Sequence, residues 1–205
     1  MDLEKFLYLK PFSEDQVVII RKALKILVKE LKKKQRSPAH GIDHYIRVFN
    51  LCIKIAEKEK VLKKVDLLTV GLAALFHDIG ETRDYKSKLT HAKESKKIAY
   101  EILSRKLKLK KDRIDAIVHA IETHSFTCHT KPRTLEAKIL QDADRLDALG
   151  AIGLARCLMP AGAWGRQLYD FNDPFCRNRK PNDKTYTIDH FYVKLLRLPK
   201  PVSYT

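Results

Sequence analysis

The chain has little glycine or proline, 7 and 8 residues in 205, and no segment alternates apolar and polar residues between hairpin turns. That scarcity of strand signals argues against a sheet-based architecture. No apolar run approaches the roughly 20 residues needed to cross a bilayer, so neither a membrane span nor a membrane partner is expected. The start, Met1-Asp2-Leu3-Glu4-Lys5, lacks the basic-then-apolar order of a signal peptide, which makes the cytoplasm the expected location. The 4 cysteines (Cys52, Cys128, Cys157, Cys176) are scattered and form no C-x-x-C pair. This excludes a thiolate zinc site and leaves a disulfide framework without support, so reduced, mostly buried thiols are expected. Cys128-His129 reads as a loop pair rather than a nucleophile with its base, because adjacent side chains seldom face each other.

What remains is ordinary for a soluble globular protein, 44% hydrophobic and 32% charged, except in its charge balance. Against 25 Asp and Glu stand 41 Lys and Arg, a net charge of +16. Such a field favours anionic partners, whether nucleic acid or phosphorylated small molecules, and does not choose between them. The excess gathers at residues 29–36 (KELKKKQR) and 106–113 (KLKLKKDR), where it reads equally as solvated helix ends.

The apolar periodicity is helical nearly throughout and predicts one all-α domain, a helical bundle with a long late loop. Ser13 before Glu14-Asp15-Gln16 has the form of a capping box, and Val17, Ile20, Leu24, Leu27, Val28 and Leu31 mark the stripe of a helix ending near Lys34. A second helix begins around Gly41 to Asp43. A third, over 64–78, is apolar on most sides and therefore central. Further helices are expected over 91–106, 111–122, 134–145 and 148–157. The expected divisions are an N-terminal helix in 1–36, a helical core in 40–157, a loop region in 158–186 rich in Pro, Gly and Asn, and a closing helix and tail in 187–205.

The chemistry-bearing residues fall at a few points. His77-Asp78 ends the apolar run Leu67 to Phe76. A carboxylate at the end of a buried helix is costly unless something binds it, and an imidazole beside it makes half of a divalent-metal site. Glu81 follows within one turn, placed to hold a water or a proton; the same residues read also as a helix end fraying into a charged loop. His40 and His44 are spaced i, i+4, as in the zinc motif H-E-x-x-H, but Gly41 stands where the glutamate base would be, which sets aside a metalloprotease. Arg47 shares a face with His44 and is a candidate for a substrate phosphate. Asp142, Asp144 and Asp147 lie within six residues before the apolar Leu149 to Ala155 stretch, so they border the core. A ligand or neighbouring bases, Arg145 among them, would relieve their repulsion.

In order, His44, His77-Asp78 and Asp144 form an H…HD…D series, followed by Asp144-Arg145-Leu146-Asp147-Ala148 and Gly150-Ala151-Ile152-Gly153. From about His40 to Leu196 the chain resembles the HD-domain metal-dependent phosphohydrolases, in particular the small bacterial branch that includes nucleotide pyrophosphohydrolase-like enzymes. The resemblance implies that His44, His77, Asp78 and Asp144 ligate one divalent ion, Mn²⁺, Ni²⁺, Co²⁺, Fe²⁺ or Mg²⁺, and that Glu81 assists the attacking water with Asp78 beside it. Arg47, His91, His124, Arg145 and Asp147 are the candidates for substrate contact, and His119 reads as a helix cap. Members of this branch continue into a further helix beyond the segment matching His190 to Leu196.

The leading expectation is a divalent-metal-dependent phosphohydrolase acting on a phosphoester or phosphoanhydride, with a nucleotide as substrate. Two alternatives stay open: a cyclic-nucleotide or oligonucleotide phosphodiesterase, and a nucleic-acid-binding protein with a vestigial metal site. The second lacks the interleaved aromatics of a nucleic-acid surface. A homodimer is compatible with the sequence but not specified by it.

Overall fold

The computed structural model describes residues 2–33, 37–81, 91–125 and 130–199, so the Cys128-His129 pair lies outside the described residues. Among those residues there are eight α-helices and no strand. Helix α1 (Glu14–Leu31) begins where Ser13 and Gln16 close the capping box: the Gln16 N–H donates to Ser13 Oγ at 3.4 Å, and the Ser13 N–H to Gln16 Oε1 at 3.1 Å. Its inner stripe of Ile20, Ala23, Leu24 and Leu27 is buried. Helix α2 (Ile42–Lys58) buries Val48, Phe49, Cys52, Ile53 and Ala56 along one side and His44 and Tyr45 near its start.

Helix α3 (Leu67–Phe76) is the hub. Every residue from Leu68 to Phe76 is buried, and the helix packs against α1, α2, α5 (Lys111–Thr123) and α6 (Leu135–Asp147). A helix with no polar face can exist in water only when surrounded in this way. It is shorter than the expected 64–78. Asp66 caps its start, accepting from the Thr69 N–H at 3.2 Å, and the chain leaves the helix at His77. His77 and Asp78 therefore sit in a turn just past the helix, closed by the Ile79 N–H to Phe76 carbonyl bond (3.2 Å) and the Glu81 N–H to Asp78 carbonyl bond (2.9 Å).

Gly80 lets this turn touch α4 (His91–Glu101), which continues into a π-helical turn at Ile102–Lys106. A Cβ on Gly80 would lie 2.4 Å from the Ser95 nitrogen and 2.9 Å from the His91 carbonyl oxygen, both backbone atoms. The Gly80 N–H donates to Ser95 Oγ at 2.9 Å. The close approach brings His91 to the same corner as Asp78.

Helix α7 (Gly150–Ala163) follows α6 after a bend at Gly150, whose φ is +64°. The sequence led us to expect a helix only to residue 157 and loop from 158. The helix instead runs through Pro160, because proline removes a single N–H and the surrounding turn tolerates that loss. The closing helix is also shorter than expected: α8 spans only Asp189–Val193, followed by a 3₁₀ turn at Leu195–Arg197. The late loop between α7 and α8 is held by the buried Asp189 carboxylate, which accepts from the Arg179 guanidinium and the Asn182 N–H. Cys52 is buried, whereas Cys157 and Cys176 are half-buried, and all three are free thiols.

Replacing Gly80 with alanine forces α4 backbone away from the His77-Asp78 turn. The expected cost is about 1–3 kcal/mol, the range for overpacking a filled site, read as a lower urea midpoint at unchanged slope. An unaltered midpoint would show that the contact is not tight.

Candidate metal centre

Three elements deliver the polar core of the molecule. The start of α2 brings His44, the turn after α3 brings His77 and Asp78, and α6 brings Asp144. His44 and His77 are fully buried, and Asp78 is 5% exposed. Their ligating atoms converge: His44 Nε2 lies 3.1 Å from His77 Nε2, 3.6 Å from Asp78 Oδ2 and 3.6 Å from Asp144 Oδ1. His77 Nε2 lies 3.4 Å from Asp78 Oδ2 and 3.8 Å from Asp144 Oδ1.

The tautomers decide what this cluster can hold. His77 Nδ1 is 2.8 Å from the Ala74 carbonyl oxygen, which can only accept, so Nδ1 carries the proton. His44 Nδ1 is 2.8 Å from Asp147 Oδ2 and donates to it. Both Nε2 atoms in the neutral rings are then bare lone pairs, facing each other and two carboxylates with no proton between them. That arrangement repels itself unless a cation, or a second proton on His44, sits among the four atoms. Donors sharing one six-coordinate ion at about 2.1 Å are roughly 3 Å apart when adjacent; the two Nε2 atoms are 3.1 Å apart, and the carboxylate oxygens stand off at 3.4–3.8 Å. Two imidazoles and two carboxylates suit a divalent ion of the Mn²⁺ to Ni²⁺ series or Mg²⁺. The residues fit the group.

Electrostatics keep His77 neutral and set a proton on His44 in competition with the cation. Burial pushes His77 down to about 4, so its ring is neutral near pH 7. For His44, burial is the largest single influence and opposes protonation, but its hydrogen bonds to Asp147 and Asp78 outweigh burial and raise its pKa. Burial works against the ionised forms of Asp78 and Asp144, yet the surrounding histidines hold both well below the ordinary carboxylate range.

A second tier surrounds Asp78. His124, buried at the end of α5, directs Nε2 to Asp78 Oδ1 at 3.2 Å, while its Nδ1 meets the Ile121 carbonyl at 2.6 Å. His91 Nε2 stands 3.8 Å from the same oxygen. His40, on the 3₁₀ turn Pro38–His40, places Nε2 at 3.5 Å from Asp78 Oδ2 and Nδ1 at 3.6 Å from Glu81 Oε1. Burial pushes His40 down to about 3. Glu81 is thus at the cluster, with His40 as its neighbour. The sequence reading did not single out His40, although its i, i+4 spacing to His44 was the available signal.

Two expected substrate contacts have protein partners in the structure. Asp147 is 4% exposed, and its carboxylate is engaged by His44, by Arg47 Nε at 2.6 Å and by Arg156 Nη1 at 2.9 Å. It orients His44 instead of facing a ligand. Arg47 directs Nε and Nη2 to Asp147 and Nη1 to Asp43 at 2.6 Å, so its fork is already occupied. Arg145 lies 3.8 Å from Asp142 Oδ1, on the acidic side of α6. His119 accepts from the Arg133 N–H at 3.1 Å and tethers the segment leading into α6 instead of capping its own helix.

Comparison with known proteins identifies the family. The model of the HD domain family matches residues 41–149, and the chain belongs to that family. Among relatives, the uncharacterized protein YpgQ of Bacillus subtilis strain 168 is 36% identical over 166 residues, 79% of this chain and 71% of that protein. A crystal structure of YpgQ in complex with ADP has a TM-score of 0.62 at 31% identity, covering 89% of this chain and 80% of that one. An HD-superfamily hydrolase from Bacillus thuringiensis has a TM-score of 0.63 at 28% identity, covering 92% and 87% of the two chains. The fold is that of HD-superfamily hydrolases, and no single helix among the described residues is long and apolar enough to cross a membrane.

Binding of a cation to the native state alone stabilises it by about 2.7 kcal/mol when the free ion is 100 times its Kd. Mn²⁺ or Co²⁺ is therefore expected to raise the Tm, and His44→Ala to abolish the rise. Because the raised pKa of His44 sets a proton against the ion, the rise should begin to shrink as pH falls while still above the ordinary imidazole value of about 6.5. Differential scanning fluorimetry across pH checks both, and an equal rise in His44→Ala would contradict the site.

Proposed function

We propose that this protein is a divalent-metal-dependent phosphohydrolase whose substrate is a nucleotide, cleaved at a phosphoester or phosphoanhydride bond. The observation that carries the reading is the convergence of His44 Nε2, His77 Nε2, Asp78 and Asp144 with both Nδ1 protons already committed. The family to which the chain belongs and the ADP complex of the related YpgQ support a nucleotide. So does the net charge of +16, which speeds encounter with anions.

When bound, a divalent ion supplies Lewis-acid polarisation of a phosphoryl oxygen and acidifies a coordinated water. The protein's own groups do the rest. Asp147 fixes the tautomer of His44, and the Ala74 carbonyl fixes that of His77. Glu81, beside the cluster and against His40, takes the proton of the attacking water. His91, beside Asp78, and Arg145, next to Asp144 on α6, are the donors for phosphate oxygens, while His124 is committed to the Ile121 carbonyl and to Asp78. The P–O bond to the leaving group breaks as the new P–O bond forms.

One observation favours a second reading, a phosphodiesterase with two ions: His77, Asp78 and His124 also form a compact donor triplet. Metal analysis separates the two, since one ion per chain fits the leading reading and two fit the alternative.

Turnover of nucleoside mono-, di- and triphosphates with Mn²⁺, Co²⁺, Ni²⁺ or Mg²⁺, reading phosphate and pyrophosphate separately, tests the proposal. Asp78→Ala and His77→Ala are expected to lose activity by on the order of 10²–10³-fold or more, the scale of removing transition-state charge stabilisation. Glu81→Gln should lower kcat by roughly 10²–10⁴-fold, the contribution of a general base, with metal affinity retained. Metal-dependent hydrolysis surviving Asp78→Ala would sink the assignment.

A further inference from the structure

Arg156 belongs to α7, beyond the residues 41–149 that match the HD family, yet it reaches the centre from behind. Its Nη1 donates to Asp147 Oδ2 at 2.9 Å and to the Asp147 carbonyl at 3.3 Å, and its Nε donates to the Ala39 carbonyl at 3.1 Å. One planar fork thus joins three elements: α7, the end of α6 that carries Asp147, and the 3₁₀ turn that carries His40. The remainder of α7 is nearly uncharged, and the helix packs mainly on that turn with a lesser contact to α6. Arg156 is its polar attachment to the rest of the molecule.

The second link is Asp147. Its carboxylate is buried and receives three partners: His44, Arg47 and Arg156. A buried carboxylate keeps its place only when its lone pairs are satisfied. Arg47 comes from α2, the same helix as His44, and ties Asp147 to that helix through two hydrogen bonds. Arg156 ties the same carboxylate to a different element, α7, by donating to Oδ2, the oxygen that meets His44 Nδ1. His77 is backed by a neutral backbone carbonyl, but His44 is backed by a charge whose position depends on this clamp.

Resting on the metal reading above, we propose that Arg156 is a positioning residue for the metal centre: it sets Asp147 against His44 Nδ1 and holds the His40 turn, so that cation affinity depends on a residue that touches no ligating atom. Loss of such an outer partner typically weakens metal affinity by about 10–100-fold.

The test is Co²⁺ binding to the purified full chain, by calorimetry and by the visible d–d spectrum. Arg156→Ala is expected to weaken Co²⁺ by about 10-fold or more and to alter the spectrum. Arg156→Gln, which keeps length but not the charged fork, should lose as much; Arg156→Lys should fall between them and the native protein. Arg166→Ala, which removes a late-loop charge stacked over Trp164, should leave binding unchanged. Asp147→Asn should also weaken binding, and combining it with Arg156→Ala should add little, because both act through one contact.

Native affinity and spectrum in Arg156→Ala, or in Arg156→Gln where the alanine variant does not keep its helical signal, would overturn the inference. So would equal loss in Arg166→Ala or full additivity with Asp147→Asn. Absence of Co²⁺ binding by the native protein would overturn the metal reading as well. Native binding without nucleotide hydrolysis would instead leave this inference standing while the substrate assignment fails.

Discussion

Two imidazole lone pairs held 3.1 Å apart, with two carboxylates within 3.8 Å, form the contact on which the molecule turns. Each ring has its proton fixed on the far side, by Asp147 or by the Ala74 carbonyl. The helices that bring these groups together are otherwise built from apolar packing around α3. The core thus bears a local repulsion, and a divalent cation converts it into attraction. Burial sharpens the effect, because charge interactions strengthen as water is excluded. It also keeps His77 neutral, the state in which an imidazole can be a ligand.

Positioning of the four donors follows from ordinary helix physics. An all-apolar helix has to be surrounded, so α3 sits at the centre and the turn at its end, with His77 and Asp78, is buried. The chain turns there, and Gly80 brings the turn against the backbone of α4. Helices α2 and α6 flank α3 and each offers polar residues at the same level. Asp144 and Asp147, three residues apart on α6, bracket His44, one toward Nε2 and the other on Nδ1. The family resemblance and the geometry thus meet on the same residues.

Much of this was legible in the sequence, and the limits have physical causes. The helical class, the capping box at Ser13 and the central place of α3 follow from periodicity and side-chain chemistry. The association of His44, His77, Asp78 and Asp144 came from their order along the chain, since no local spacing links residues a hundred apart. Helical spacing put Arg47 on the face of His44 and Asp147 on that of Asp144, but it gives proximity without direction. Asp147 meets His44 Nδ1, and Arg47 meets Asp147 and Asp43. His40 was paired with His44 by helical spacing but given no role, because Gly41 broke the zinc motif; it lies on a 3₁₀ turn, beyond the start of α2. The reach of Arg156 is a tertiary contact across 117 residues to Ala39, and the run of α7 through Pro160 shows packing overriding a local breaker.

The central claim is that one divalent ion is held by donors from α2, the turn after α3, and α6. Anomalous diffraction at the cobalt edge from crystals soaked in Co²⁺ tests it most directly. The account predicts an anomalous peak bonded at about 2.0–2.3 Å, the range for such ligands, to His44 Nε2, His77 Nε2 and carboxylate oxygens of Asp78 and Asp144. A peak elsewhere in the molecule with none among these four, or His44 bound through Nδ1, would contradict it.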